Sequence, residues 1–283
     1  MKLVDKNIVL NKVKQIMHYK EREAKQFLCE CLDMTLSEFT LIQGISKKQF
    51  FLVYKCIILT RIGKPINKIV KRAYFYGRKF YINKNVLAPR CETERVVDYA
   101  LEEIQTLQKQ KGKNGIVKVL DLCTGSGIIG ITIKKQNALA EVTLADISKK
   151  ALKVADINAK KLNVDVEIVK SDMFANIHNK FDVIVCNPPY ITQEAYKNLP
   201  KSVKNYDPKK ALLGGQDGLD FYRILRDKAS DYLLDGGVIV CEIGYDQKEA
   251  IKNIFCNKYA SVDVYDDYEG NPRIAVIKGE KKW

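Results

Sequence analysis

The tetrad Asn187-Pro188-Pro189-Tyr190 is the segment whose residue types point most directly to chemistry. It follows an apolar run at 182–186, so it would stand at the carboxyl end of a buried strand, where open α/β sheets bind ligands. An NH2 group conjugated to a carbonyl or a ring can donate one hydrogen to the Asn187 side-chain oxygen and the other to the Pro188 carbonyl, while Tyr190 covers its π face. These hydrogen bonds strengthen as the nitrogen becomes pyramidal and nucleophilic. The tetrad predicts a site for a planar amino nitrogen; the alternative is a proline turn without chemistry.

A glycine-rich turn forms the second candidate site. It consists of Cys123, Thr124, Gly125, Ser126 and Gly127, between an apolar run and a helix-like segment, where backbone and a helix N-terminus can approach a ligand. Asp146 ends the next apolar run and could accept both hydroxyls of a ribose. Because Gly130 completes a dinucleotide fingerprint, the glycines alone fit a nicotinamide cofactor equally well, or a turn that only packs helix on strand. The tetrad argues against both of these readings, because neither a dehydrogenase nor a packing turn needs a site for a planar amino nitrogen.

The elements that would position these residues alternate between strand and helix. Strands are predicted over 116–122, 142–145, 166–169, 182–186 and 238–242, and helices over 128–135, 149–162, 222–234 and 247–255. Extended segments at 261–265 and 273–277 have a connection too short for a helical crossover, so they should pair antiparallel. The pattern predicts an α/β fold, a mostly parallel sheet with one reversed strand and helices on both faces.

The first 70 or so residues show helical spacing, with Phe50, Val53, Tyr54 and Ile57 as one example and a helix end at 63–65. A β-hairpin is expected over 73–82, and an amphipathic helix begins near Val96 and ends in a polar run at 109–115. We therefore expect a helical bundle domain at 1–72 that docks the substrate, a hairpin linker at 73–91 and a catalytic domain at 92–283.

Charge and cysteine content limit the partners, metal sites and cellular compartment that we expect. Of the net charge of +14, residues 1–85 carry +12, from 18 Lys plus Arg against 6 Asp plus Glu. This basic end favours nucleic acid, ribonucleoprotein or an acidic protein surface, or simply solubility. The eight cysteines include no Cys-x-x-Cys, and with two histidines no metal site is expected. No apolar stretch is long enough to span a bilayer and the N-terminus does not resemble a secretory signal, so we expect a cytoplasmic protein.

The tetrad and the glycine turn together resemble S-adenosylmethionine methyltransferases that act on amino groups of planar substrates. Further segments narrow the resemblance to the peptide chain release factor glutamine methyltransferase family: Leu-Ala-Pro-Arg-Cys-Glu-Thr-Glu at 87–94, Asp-Tyr-Glu-Gly-Asn-Pro-Arg at 267–273, and residues 63–66, 75–77, 211–215, 217–222 and 242–244. The chain departs from the family pattern at Ala88, Cys91 and Cys123. The resemblance implies a class I S-adenosylmethionine-dependent methyltransferase fold, Rossmann-like with seven strands.

The resemblance also implies a reaction and residue roles. The substrate would be the glutamine of the Gly-Gly-Gln motif in class 1 release factors, methylated on its side-chain amide nitrogen by S-adenosyl-L-methionine without a dedicated base. Roles carried over by position place four residues at the glutamine, namely Asn187, Pro188, Pro189 and Tyr190. They place Thr124, Gly125 and Gly127 at the methionine part of the cofactor, Asp146 at its ribose, and Asp172 with Met173 at its adenine. Cys123, Ser126 and Asn187 are also expected to bind the cofactor. The Gly214-Gly215-Gln216 of this chain is expected in a loop and is no substrate motif.

Other functions share parts of this pattern. An adenine-specific DNA methyltransferase would have the tetrad but would need a domain to hold a flipped base, which the first 85 residues do not resemble. A noncatalytic RNA- or ribosome-binding protein would not need an intact tetrad. A methyltransferase acting on a glutamine of a ribosomal protein uses the same chemistry. We expect a monomer whose protein substrate is a release factor, with no membrane contact and no direct nucleic acid required.

Overall fold

The computed structural model describes residues 3–112 and 115–280. Residues 1–2, 113–114 and 281–283, which belong to the predicted domains 1–72 and 92–283 and to the predicted polar run at 109–115, lie outside the described residues. The chain divides into two compact units. One unit extends to Arg72 and includes Pro200–Tyr206, and the other comprises Ala73–Leu199 and the chain from Asp207 onward.

The N-terminal unit is built mainly from helices. Its elements are β1 Val4–Asp5, α1 Lys6–Met17, α2 Glu21–Leu32, α3 Leu36–Leu41, β2 Gly44–Ile45, α4 Lys47–Arg61 and α5 Ile66–Val70. The short strands β1 and β2 pair antiparallel, which the helical spacing did not predict. A core that includes Val13, Leu28 and Val53 holds α1, α2 and α4 together. The Lys64 ammonium lies 5.9 Å from the centre of the Tyr206 ring, within the returning segment.

The helix boundaries in this unit follow from local capping. Ser46 caps α4 through its hydroxyl, which accepts from the Gln49 N–H, and Gln49 in turn accepts from the Ser46 N–H. At the other end, Gly63 has φ +88 and Pro65 cannot continue a helical hydrogen-bond ladder. The predicted helix end at 63–65 is therefore confirmed, and α5 starts directly after it.

The second unit carries the alternating elements. A hairpin, β3 Arg72–Phe75 and β4 Arg78–Tyr81, is followed by a 3-10 turn at Cys91–Thr93 and then by α6 Glu94–Lys111, β5 Val117–Leu122, α7 Ile128–Gln136, β6 Ala140–Asp146, α8 Lys149–Leu162, β7 Glu167–Lys170, β8 Phe181–Cys186, α9 Gln193–Asn198, α10 Lys201–Lys204 (in the segment that joins the first unit), α11 Asp220–Lys228, β9 Leu233–Glu242, α12 Lys248–Phe255, β10 Tyr259–Asp266 and β11 Pro272–Glu280. Further 3-10 turns lie at Lys209–Ala211 and Ala229–Tyr232.

Within the described residues the main sheet has seven strands, in the order β10-β11-β9-β8-β5-β6-β7. β5, β6, β7, β8 and β9 pair in parallel, whereas β11 is antiparallel to both of its neighbours. The predicted parallel sheet with one reversed strand is therefore confirmed. It follows that β5, β6, β7 and β8 all end at the same edge of the sheet.

Helices cover both faces of this sheet, because the strands are apolar on both sides. On β5, Val119 packs into a core with α6 and α7, while Leu120 packs into the opposite core with α11 and α12. Such doubly buried strands appear in sequence as continuous apolar runs.

One predicted element is wrong at its end. The helix expected over 222–234 stops at Lys228, and Leu233 already belongs to β9. Leu233 pairs with Phe181, and the register shifts before Val183 pairs with Val238, so residues 234–237 bulge out of the ladder. Gly236, with φ +76, allows this bulge. Leu233 and Leu234 continue the helical spacing of apolar residues in the sequence, but they are the first residues of a strand.

Among the described residues, no helix combines the length and apolar character needed to cross a bilayer.

Candidate active site

The turn after β5 is shaped by backbone conformation and by one buried carboxylate. Cys123, Gly125 and Gly127 all have left-handed φ values, of +57, +57 and +81. Asp121 lies beneath the turn, where its Oδ2 accepts from the Thr124 hydroxyl at 2.6 Å and from the Gly130 N–H at 2.9 Å. Burial raises the pKa of Asp121 to about 7, against the opposing effect of these two donors. Asp121 therefore ties the turn to the start of α7.

A non-glycine residue in the left-handed region is costly, by roughly 1–2 kcal/mol for an ordinary side chain. Cys123 occupies that conformation, at the position where the family pattern has its first glycine. Its Sγ lies 3.7 Å from the Met173 Sδ, so the side chain packs against the loop after β7. The departure at Cys123 thus keeps the shape of the turn.

Asp146 stands at the end of β6 beside this turn. Its Oδ2 accepts from the Gly125 N–H at 2.9 Å and its Oδ1 from the Ser148 N–H at 2.8 Å. Burial raises the pKa of Asp146, and these two N–H donors oppose the rise. A carboxylate has about four acceptor positions, so two remain for hydroxyl groups. The geometry suits the binding of a diol.

The loop after β7 approaches from the other side of Asp146. The Ser171 N–H donates to the Asp146 carbonyl at 3.1 Å, and the Ser171 hydroxyl donates to the Met173 carbonyl at 2.6 Å. Met173 has φ +47 and is almost fully buried. Asp172 and Met173 are thereby held next to Asp146, the acid predicted from the sequence to bind a ribose.

A cavity of about 270 Å³ lies over these strand ends. Most of the predicted site residues line it, namely Cys123, Thr124, Gly125, Ser126, Asp146, Asp172, Met173, Asn187 and Pro189. Pro188, Tyr190 and Gly127 are not among its lining residues. A Cβ at Gly127 would lie 2.7 Å from the Ile131 Cδ1, so this glycine serves the packing of α7.

Asn187 directly follows the fully buried β8. Its Nδ2 donates to the Glu242 Oε2 at 2.8 Å and to the Thr93 Oγ1 at 3.3 Å. Its Oδ1 accepts no hydrogen bond from the described residues, and Asn187 lines the cavity. The amide oxygen is therefore the group that Asn187 can offer to a ligand.

Tyr190 is not among the lining residues of the cavity, and its hydroxyl donates to the Glu242 Oε1 at 3.2 Å. Burial and the nearby Glu242 carboxylate raise the pKa of Tyr190, so the phenol stays protonated. The tetrad backbone is also closely covered: a Cβ at Gly214 would lie 2.5 Å from the Pro189 carbonyl oxygen. Gly214 thus belongs to a loop packed on the tetrad, which confirms the predicted loop.

Sequence reasoning gave no role to Thr93, Arg90 or Glu242, although all three fall in segments that carried the family resemblance. Glu242 ends an apolar strand as a buried acid, and a charge in that position was the available signal. Arg90 lines the cavity together with the exposed Lys209 and Lys210. These three cations share the lining with the Asp146 and Asp172 carboxylates.

The comparisons with known proteins point to one family. Residues 97–203 match the family model described as Methyltransferase small domain. Curated relatives named release factor glutamine methyltransferase include one from Bacillus subtilis, 35% identical over 83% of this chain and 82% of its own length. Another, from Thermodesulfovibrio yellowstonii, is 35% identical over 96% of this chain and 98% of its own length. A third, from Clostridium acetobutylicum, is 37% identical over 83% of this chain and 81% of its own length.

Solved structures share the fold at lower identity. The catalytic domain of hMettl16, solved in complex with a 3′UTR hairpin, superposes with a TM-score of 0.56 at 15% identity and covers 85% of this chain and 84% of that one. A methyltransferase from Pyrococcus furiosus superposes with a TM-score of 0.51 at 20% identity over 78% of this chain and 95% of that one. At these identities the likeness concerns the fold alone.

Proposed function

Because the chain belongs to the release factor glutamine methyltransferase family, we propose that it methylates the side-chain amide nitrogen of the glutamine in the Gly-Gly-Gln motif of class 1 release factors. The methyl donor is S-adenosyl-L-methionine. One observation carries the proposal: Asn187, whose Oδ1 accepts no hydrogen bond from the described residues, lines the same cavity as Asp146 and the glycine turn. A residue that can accept from an amide N–H and an acid that can bind a diol therefore line the same cavity.

The residues of the cavity fit the cofactor. The backbone around Gly125 is open, since a Cβ there would meet only the Cys123 carbonyl oxygen, at 3.9 Å. Asp146 would hold the ribose, Asp172 and Met173 the adenine, and the turn residues the methionine part. When bound, the cofactor supplies an electrophilic methyl group on a sulfonium.

The chain itself would orient the amide. The Asn187 Oδ1 would accept one amide N–H. The carbonyl of Pro188, the next residue along the chain although not among the lining residues of the cavity, would accept the other, so that the nitrogen lone pair faces the methyl group. The methylated nitrogen must lose one proton, which these two oxygens would hold by hydrogen bonding until it passes to water. Acceptors that gain strength as positive charge develops on the N–H groups lower the barrier to this transfer.

We further propose that the N-terminal unit, predicted as a substrate-docking domain at 1–72, binds the release factor away from the reacting glutamine. Its support is the basic composition of residues 1–72, which hold 15 Lys plus Arg against 6 Asp plus Glu, and an apolar strip on α4. This strip, formed by Phe51, Ile58 and the following Ile62, is 59–70% exposed. A basic surface with an apolar centre suits an acidic partner with apolar side chains. The enzyme would act as a monomer in the cytoplasm, where release factors work, without needing nucleic acid.

The proposed substrate is tested by comparing three candidate substrates in separate incubations. The protein is incubated with methyl-labelled cofactor and one of three substrates, namely a class 1 release factor, a large ribosomal subunit or duplex DNA. We expect label in the release factor, and none when its motif glutamine is replaced by alanine. Label only in a ribosomal protein or only in adenine would contradict the proposal and identify the other substrate.

A further inference from the structure

Three donors from separate parts of the catalytic unit converge on the carboxylate of Glu242. The Thr93 hydroxyl donates to Oε2 at 2.6 Å, the Asn187 Nδ2 donates to the same oxygen at 2.8 Å, and the Tyr190 hydroxyl donates to Oε1 at 3.2 Å. Glu242 is 2% exposed, at the end of β9. A carboxylate has no hydrogen to donate, so it determines the direction of all three hydrogen bonds.

The consequence falls on the Asn187 amide. Its NH2 points inward, where Nδ2 donates to the Glu242 Oε2 at 2.8 Å and makes a longer contact, at 3.3 Å, with the adjacent Thr93 Oγ1. Rotating the amide by half a turn would place its oxygen against the Glu242 carboxylate and its NH2 toward the cavity, where a substrate NH2 would meet a donor. We propose that Glu242, with Thr93, is a positioning residue that fixes the Asn187 amide with its oxygen facing the substrate. This inference rests on the proposed function and adds to it the residue that decides whether the oxygen or the NH2 of the Asn187 amide faces the substrate.

The network works only with an ionised Glu242, because a protonated carboxyl has an O–H that must itself find an acceptor. The charged and titratable groups around it are the Tyr190 phenol, Arg90 and Arg273, with the Cys241 thiol next to it in β9 and the Tyr222 hydroxyl on its backbone carbonyl at 2.8 Å. Burial raises the pKa of Glu242, and the Thr93 hydrogen bond and the charge of Arg273 oppose the rise. Activity should therefore fall as pH decreases through this pKa.

The test removes the acceptor that orients Asn187. Glu242→Met has a side chain of similar length without a strong acceptor for the Asn187 NH2, so we expect kcat to fall by roughly 100-fold, the scale of losing one oriented polar group at a reaction centre. Binding of S-adenosylhomocysteine should change by less than about 3-fold, since Glu242 does not line the cavity. Glu242→Gln is the conservative variant, because its amide oxygen can accept from Asn187 and Thr93 while its NH2 donates to the Tyr190 hydroxyl oxygen. We expect its kcat to be at least about 10-fold above that of Glu242→Met.

The matched control is Glu167→Met. Glu167 accepts from the Thr143 hydroxyl at 2.9 Å in the same sheet and lies outside the cavity, so its replacement should leave kcat unchanged. Parental kcat in Glu242→Met would overturn the inference. So would a Glu242→Gln variant that binds S-adenosylhomocysteine but is no faster than Glu242→Met, because an acceptor at this position would then not govern the rate.

A measurement on the parent protein does not depend on the folding of any variant. The side-chain NH2 signal of Asn187, followed by ¹⁵N NMR in the presence of S-adenosylhomocysteine, should shift with pH along the acid limb of kcat. No shift across that limb would overturn the inference. If the parent methylates no release factor at any pH, the proposed substrate is refuted, and the pH response of the Asn187 signal still decides the role of Glu242.

Discussion

Replacing Asn187 by alanine removes its side-chain amide oxygen, the acceptor that we propose for a substrate N–H at the end of β8. The same substitution takes a 2.8 Å donor from the buried Glu242 carboxylate and a weaker 3.3 Å donor from the Thr93 hydroxyl. Two effects should therefore appear, one on the rate of transfer and one on stability.

The effect on rate should be the larger. If Asn187 binds the amide most strongly as the nitrogen becomes nucleophilic, its loss should cost about 2.7–4 kcal/mol in the transition state, or roughly 10²–10³ in kcat. For stability, a hydrogen bond to a charged group contributes about 1.5–3 kcal/mol. We expect a loss at the lower end, because the truncated side chain opens space at the cavity wall for water to hydrate Glu242. Cofactor affinity should change little.

The assay measures label transfer to a saturating release factor, with calorimetric titration of S-adenosylhomocysteine and thermal unfolding on the same samples. Asn179→Ala is the control, since Asn179 is an exposed asparagine outside the cavity. An Asn187→Ala enzyme with the parental rate would refute the reasoning, because the tetrad would then be only a turn. A loss of activity explained entirely by lost cofactor binding would refute it equally.

Three further outcomes are expected. Asp121 has a folded-state pKa of about 7, above the ordinary value of 3.8, so between these two pH values the folded protein binds a proton that the unfolded chain does not. The melting temperature of the parent relative to Asp121→Asn should therefore rise as pH falls from 8 toward 5. A difference that stays constant with pH would contradict this. A Cβ at Gly130 would collide with the Leu144 Cδ2, so Gly130→Ala should lower the free energy of unfolding in urea by about 1–3 kcal/mol and weaken cofactor binding. Parental stability would show instead that Leu144 moves to accommodate the added methyl group. The double variant Phe51→Ser with Ile58→Ser should raise the KM for the whole release factor while kcat on a short Gly-Gly-Gln peptide stays at the parental value, and an unchanged KM would exclude this strip from docking.

Patterns within single segments predicted the fold well. The strands β5, β6, β8 and β9 are buried on both faces, so each appeared in the sequence as an apolar run, and the short link between the last two strands predicted the reversed strand. The start of β9 was missed because its first residues pair across a bulge, and helical spacing of leucines does not distinguish the two cases.

The candidate site was predictable only in part, for a related reason. Residues in one turn or one tetrad share a motif, so spacing brought out the glycine turn, Asp146 and Asn187. Thr93 and Glu242 are 149 positions apart, and their contact depends on the order of strands in the sheet. The hydrogen bond from the Tyr190 hydroxyl to Glu242 joins residues that are 52 positions apart, so no local pattern indicates it.

The central claim is methyl transfer to one amide nitrogen, and mass-spectrometric mapping of the product tests it most directly. A class 1 release factor purified without its methyl group is incubated with this protein and S-adenosyl-L-methionine, digested, and sequenced by fragmentation across the Gly-Gly-Gln peptide. We expect one added methyl group, located on the glutamine side chain, and its absence when Asn187→Ala replaces the parent. An unmodified glutamine after incubation with a parent enzyme that binds the cofactor, or a methyl group on another residue of the factor, would contradict the account.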